Sequence, residues 1–350
     1  MRKTFNRILG FFLLLFSLPI FAQVDQECSN TLDSRISELE TAWPNQNPQE
    51  SGKFFISAAL LYWWTDEVGL TYAMEGNADQ TSAGQRTWLD TKVKPDTGFK
   101  IGLGTFLPHD QWDLFLQLTH LHSRVSISKM STGGKVLFPA WNNPTNQPGG
   151  FVDKVHGHWR LHFALIDLEL GRTLNLTDFF SLRPHLGMRY AIVRQKYLLH
   201  YEGGTLFPDG DSFIIMNNKC LFPGIRSGLD IKWNMKKGWG FYSNAACSLL
   251  YGNMYTHEDK KAPEGETSYH LIDRGYMGIA IFDLGFGLEW QKKFACDRQQ
   301  VSFQFGWEEH LFLGQNNFFR FLKPGTFSDI YRSHESLDLQ GITLRARWDL

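Results

Sequence analysis

The stretch Ser181-Leu182-Arg183-Pro184-His185-Leu186-Gly187-Met188-Arg189-Tyr190-Ala191-Ile192-Val193-Arg194-Gln195 decides how the rest of the chain is read. Leu182, Pro184, Leu186, Met188, Tyr190 and Ile192 share one face of an extended chain; Arg183, His185, Gly187, Arg189 and Gln195 share the other with Ala191 and Val193. Successive strand side chains point to opposite faces, so one face is apolar and the other polar or small. The pattern recurs in both directions. Ile225, Leu229, Ile231 and Trp233 oppose Arg226, Gly228, Asp230 and Lys232, while Phe282, Leu284, Phe286, Leu288 and Trp290 oppose Asp283, Gly285, Gly287 and Glu289. Val301–Glu308, Trp112–Thr119, Phe99–Gly104 and Ile342–Leu350 repeat it.

A soluble antiparallel sandwich also alternates, with its apolar face inward. Three features favour a membrane barrel instead. The runs are long, against about 5–6 residues for a typical soluble strand. Their polar faces are rich in glycine, as a crowded lumen requires. The connections alternate in length: Pro108–Gln111, Asn175–Phe179, Lys236–Gly238 and Lys293–Arg298 are short, while Lys129–Gly157, Tyr201–Lys219, Thr256–Gly275 and Gly314–Glu335 are long. Short periplasmic turns and long external loops are the asymmetry of an outer-membrane barrel.

Aromatic residues orient it. Trp112, Phe179, Phe180, Trp233, Trp239, Trp290 and Trp348 cluster at the short-turn ends and predict a periplasmic girdle. Tyr62, Trp63, Trp64, Trp159, Tyr197, Tyr251, Tyr255 and Phe312 are expected at the outer one. The closing strand ends on Leu350, where the insertion signal read by the outer-membrane assembly machinery usually has Phe.

Residues 1–22 read as a signal peptide: Arg2, Lys3 and Arg7 precede an apolar run from Ile8 to Phe21, then Ala22. Residues 23–52 read as a periplasmic segment with a short amphipathic helix carrying Leu32, Ile36 and Leu39. Residues 53–350 read as the barrel. Ten strands are expected, and an even count leaves both ends in the periplasm. Val68–Glu75 and Arg86–Val93 could form a further hairpin, giving twelve, or an external β-extension. The fold class is therefore all-β: a transmembrane antiparallel barrel behind a short helical segment, in the outer membrane of a Gram-negative bacterium.

Composition excludes other classes. With 35 basic and 36 acidic residues, the net charge of −1 offers no nucleic-acid footprint. Four cysteines lack zinc spacing, and 43% hydrophobic residues are too many for a disordered chain. Cys28 and Cys296 both fall on the periplasmic side, where an oxidising compartment permits a disulfide or cross-links between barrels.

Several segments resemble the major outer-membrane protein family of Legionella, which includes the MOMP-like porins of chlamydia-related bacteria. They are Ala58-Ala59-Leu60-Leu61-Tyr62-Trp63, Glu67-Val68-Gly69-Leu70-Thr71-Tyr72-Ala73, Gly98-Phe99-Lys100-Ile101-Gly102-Leu103-Gly104 and His109-Asp110-Gln111-Trp112-Asp113-Leu114. Leu168-Glu169-Leu170-Gly171-Arg172 and Leu182–Tyr190 continue the series. The resemblance implies a pore-forming outer-membrane barrel and supplies no catalytic residues.

The candidate lumen set is Asp113, Glu169, Arg183, Arg189, Arg226, Asp230, Lys232, Asp283, Glu289, Arg345 and Arg347, with Asp167 beside it. Opposed charges across a wet constriction would set ion selectivity by local field, here weakly because the signs balance. The same charges could instead pair and fill a small barrel, since eight strands barely hold their own side chains. Two functions follow: a porin-like pore for passive diffusion of small hydrophilic solutes or ions, or a surface-exposed structural or adhesin barrel without an open pore. An outer-membrane hydrolase built on Asp153, His156 and His158 is a third, weaker reading, because rim histidines are usually solvated and no serine motif accompanies them. No catalytic residue, cofactor or metal is expected. Outer-membrane lipid is the surroundings, and self-association into a homo-oligomer is open.

Overall fold

The structure, a computed structural model, describes residues 53–77, 86–108, 112–141, 150–261, 268–294, 299–321 and 330–350. Ten long strands carry the fold: β1 (Phe54–Glu67), β2 (Asp96–Phe106), β3 (Trp112–Met130), β4 (Lys154–Arg172), β5 (Phe180–Gly203), β6 (Phe207–Asn234), β7 (Trp239–Lys261), β8 (Tyr269–Phe294), β9 (Gln299–Asn316) and β10 (Glu335–Asp349). Each pairs antiparallel with the next, and β10 pairs back onto β1, from Phe55 opposite Asp349 to Glu67 opposite Leu337. The sheet is closed, so no edge is left with unpaired backbone groups, as a spanning sheet in hydrocarbon requires. No helix among the described residues is long and apolar enough to cross a membrane; the strands do the crossing.

The apolar faces point outward. Leu186, Met188 and Phe286 are 62%, 66% and 62% exposed, values that no core of stacked sheets would leave. Trp233, Trp239, Phe179 and Trp348 stand exposed at the short-turn end. Glycines on the inward face make room for large neighbours: a side chain at Gly104 would meet the Phe55 ring, and one at Gly171 would meet the Arg183 guanidinium.

The barrel has the ten strands expected, and the further hairpin is an external extension: Thr71–Asn77 pairs with Thr87–Asp90 and with Lys135–Pro139 in a separate sheet. The structure corrects two expectations. Most of Tyr201–Lys219 and Thr256–Gly275 is strand, because β5–β8 continue far beyond the membrane before turning; Gly203 and Gly204, at φ of 70° and 71°, turn the first of these hairpins. Trp63, Trp159, Tyr197 and Phe312 do not join an outer girdle. Strand parity turns them inward, where they are fully buried, whereas Tyr62, Trp64 and Tyr251 face out. Cys220 is buried, and Cys247, within β7, is exposed on the outer face. The signal peptide, the N-terminal helix, Cys28 and Cys296 lie outside the described residues.

Candidate functional site: the barrel lumen

The lumen has two levels. The lower is ionic. The inward faces of β3–β6 and β8 bring Asp113, Asp167, Glu169, Arg183, Arg189, Arg226, Asp230 and Asp283 together. Arg183 donates to both oxygens of Asp113, at 2.8 and 2.5 Å, and to Asp230 at 2.8 Å. Arg189 donates two bonds to Asp167, at 2.7 and 2.9 Å, and one to Asp283 at 2.7 Å. Arg226 donates to Glu169 at 2.9 Å and also reaches Asp283. Asp283 thus joins two arginines, with His310 as a third partner at 2.5 Å. Lys100 meets Glu308 at 2.5 Å, and Arg345 reaches the other oxygen of Glu308 at 3.4 Å. Lys232 meets Glu289 at 2.8 Å. Forked guanidinium–carboxylate bonding of this kind holds both groups in one geometry.

All eleven candidates therefore point into the barrel, and ten of them join cross-strand pairs. The eleventh, Arg347, lies over the Phe55 ring at 3.7 Å and pairs along its own strand with Asp349. Lys100, His185, Glu308 and His310 belong to the same assembly but were not among the candidates. Their polar-face positions were visible in the alternation; their partners were not, because they lie on strands distant in sequence.

The upper level is apolar. Leu121, Phe163, Val193, Leu199, Ile214, Met216, Phe222, Ile281 and Phe312 face inward from the barrel wall. Leu70, Tyr72, Leu137, Trp141 and Phe318 pack onto them from the external connections. Polar ties hold this plug. Tyr201 donates to the carbonyl of Tyr72 at 2.8 Å, Trp141 to that of Thr71 at 2.6 Å, and Arg320 lies 3.5 Å from the Trp141 ring centre. Within the lower, ionic level lies a polar cavity of about 140 Å³, lined among others by Lys100, Asp167, Arg226, Asp283 and Glu308.

The rim residues Asp153, His156 and His158 are not assembled into a dyad. Asp153 accepts the backbone N–H of Gly204 at 2.8 Å, and His158 contacts Ser126 and Arg160. Near the outer end of the β7–β8 hairpin, His257, Asp259 and His270 place donor atoms within 4.8 Å of one another, a grouping with the ligand types a transition metal takes.

The sequence profile of the family described as Legionella pneumophila major outer membrane protein precursor matches residues 46–350. The chain belongs to this family. Family and closed barrel together place it in the outer membrane. No curated protein matches it. Among solved structures, it is similar to the outer membrane protease OmpT from Escherichia coli at 12% identity and TM-score 0.42, covering 87% of this chain and 98% of that one. It is also similar to the Pseudomonas putida toluene transporter TodX at 10% identity and TM-score 0.29, covering 86% and 89%. A FadL homologue of Pseudomonas aeruginosa follows at 8% identity and TM-score 0.25, covering 85% and 90%. This family member is, in architecture, a closed ten-stranded outer-membrane β-barrel.

Proposed function

We propose that the chain is a surface-displayed outer-membrane barrel whose lumen holds no standing channel. The observation that supports this is the double filling of the interior: paired charges across the lower half and an apolar plug across the upper. Eight strands just hold their own side chains and ten enclose somewhat more; here aromatic residues and ion pairs take much of that room, around the cavity of about 140 Å³. The long strand extensions and external sheet then become the working surface, displayed outside the cell on a rigid support. No catalytic residue or cofactor enters this reading; an activity lost in His156→Ala or His158→Ala would require one. Reconstitution into planar bilayers tests it. The expected result is a baseline without discrete conductance steps.

The cavity of about 140 Å³ and its mixed-charge lining favour a second reading. In it the barrel is a porin-like path for small hydrophilic solutes or ions, akin to MOMP-like porins of chlamydia-related bacteria, and it opens when the external plug leaves the mouth. Stepwise conductance of weak ion selectivity in the intact protein would select this second reading over the first.

A further inference from the structure

On four consecutive strands the outward series changes abruptly from apolar to basic. β3 runs Leu114, Leu116, Leu118 and then His120, His122, Arg124. β4 runs Leu170, Leu168, Ile166, Ala164 and then His162, Arg160, His158. β5 passes from Met188, Tyr190 and Ile192 to Arg194 and Lys196, and β6 from Pro223 and Leu221 to Lys219. Register joins these residues into two rows. His122 stands opposite His162, His162 opposite Arg194, and Arg194 opposite Lys219; Arg124 stands opposite Arg160, and Arg160 opposite Lys196. Arg124, Arg160, Arg194, Lys196 and Lys219 are all exposed. Among the described residues none of the five has a carboxylate within ion-pair distance, in a chain whose lumenal cations are almost all paired.

The opposite side of the barrel makes the inverse change. Phe305 and Trp307 on β9 lead to Glu309, Leu344 and Ile342 on β10 lead to Asp338, and Tyr62 and Trp64 on β1 lead to Asp66. The basic rows are therefore a property of one face, not of the rim in general.

We propose that the outward face of β3–β6, directly beyond its apolar belt, binds the phosphate groups of an anionic outer-leaflet glycolipid. Acyl chains cover the Leu118, Ile166 and Tyr190 level, and the sugar phosphates then meet Arg124, Arg160, Arg194 and Lys196 where the hydrocarbon ends. Arginine offers planar forked donors suited to phosphate oxygens, and clustered basic residues at a membrane boundary attract anionic headgroups. The field that a ligand would neutralise already acts on a neighbour: burial, then Arg160, Arg124 and Lys196, hold the His158 imidazole below its ordinary value. A second copy of the chain could present its acidic face here, but that face carries fewer charges, and the continuity of an acyl-sized apolar belt with a phosphate-sized basic row matches one lipid molecule. This inference uses the outer-membrane location and is independent of whether the lumen conducts.

Native mass spectrometry of the detergent-purified full chain tests it with three probes: bisphosphorylated lipid A, the same lipid dephosphorylated, and inorganic phosphate. The expected result is retention of the bisphosphorylated lipid at least tenfold above the dephosphorylated form, with no capture of inorganic phosphate. Arg124→Gln/Arg160→Gln/Lys196→Gln should lose that preference while keeping the heat-modifiable gel migration of a closed barrel. Asp66→Asn, on the other face, should keep the preference. Equal retention of both lipids would overturn the proposal, as would an unchanged triple variant. Displacement of the lipid by inorganic phosphate would overturn it in favour of a free-anion site. Dimers abolished by the triple variant without any lipid preference would assign the face to a second copy instead.

Discussion

Replacing Arg189 by methionine separates a paired lumen from a wet one. Arg189 makes three bonds, two to Asp167 and one to Asp283, and its side chain is 1% exposed against 2% for Asp167. Without the guanidinium, Asp283 keeps Arg226 and His310, but Asp167 loses the partner that holds both its oxygens. Breaking a buried pair from one side costs roughly 3–5 kcal/mol, because a charge stays behind unpaired. The same substitution in a water-filled channel would cost about 0–1 kcal/mol, the range of a solvated pair. Urea unfolding in detergent micelles, followed by tryptophan emission, reads the difference. The expected loss for Arg189→Met is about 3–5 kcal/mol. In Arg189→Met/Asp167→Leu both partners are apolar, and most of that loss should return, since a matched apolar replacement of a buried pair is often close to neutral. A single-variant loss below about 1 kcal/mol, or a double variant no better than the single, would refute the filled lumen and the function built on it.

Three further outcomes are expected. Glu258 lies near the outer end of β7, beyond the membrane; Tyr269 donates to it at 2.7 Å, and burial raises its carboxyl from the usual 4.5 to about 7. A raised carboxyl stabilises the fold below pH 4.5 and loses that contribution as pH climbs through 7. Glu258→Gln should therefore match the parent near pH 4 and exceed it by about 3 kcal/mol at pH 8; an equal difference at both pH values would contradict this. Trp141→Ala removes a buried ring that packs on Tyr197 and Phe318 and should loosen the plug by about 3–5 kcal/mol. Limited proteolysis would show faster cleavage of the external sheet with the barrel band intact, and unchanged cleavage would count against the plug. In a Cys28→Ser/Cys296→Ser background, a membrane-soluble maleimide should label the outward Cys247, whereas a charged thiol reagent should label neither Cys247 nor the buried Cys220 in vesicles. Labelling of Cys247 by the charged reagent would place it in water rather than lipid.

Much of the barrel was legible because strand geometry is a local property. A period of two assigns each side chain to a face from its neighbours alone, so Leu186 and Phe286 could be placed outward and Arg189 and Asp283 inward before any strand was paired. Alternating connection lengths supplied the strand order and the end that faces the periplasm. The same rule, applied residue by residue, would have turned Trp63, Trp159, Tyr197 and Phe312 inward; the preference of aromatics for membrane boundaries masked it.

What lay beyond reading was everything that depends on closure. The chain alone told that charges line the interior, yet pore and packed core have the same alternation, and only radius and partner positions distinguish them. Arg189 finds Asp283 across the lumen, 94 positions away, and Trp141 folds back from an external connection onto Tyr197. Such contacts are set by strand number, stagger and loop path together, quantities that no local window of sequence contains. Composition and periodicity determined an outer-membrane barrel with a charged interior; the tertiary structure decided how that interior is arranged, because only closure at ten strands brings Arg189 to Asp283 and folds Trp141 back onto Tyr197.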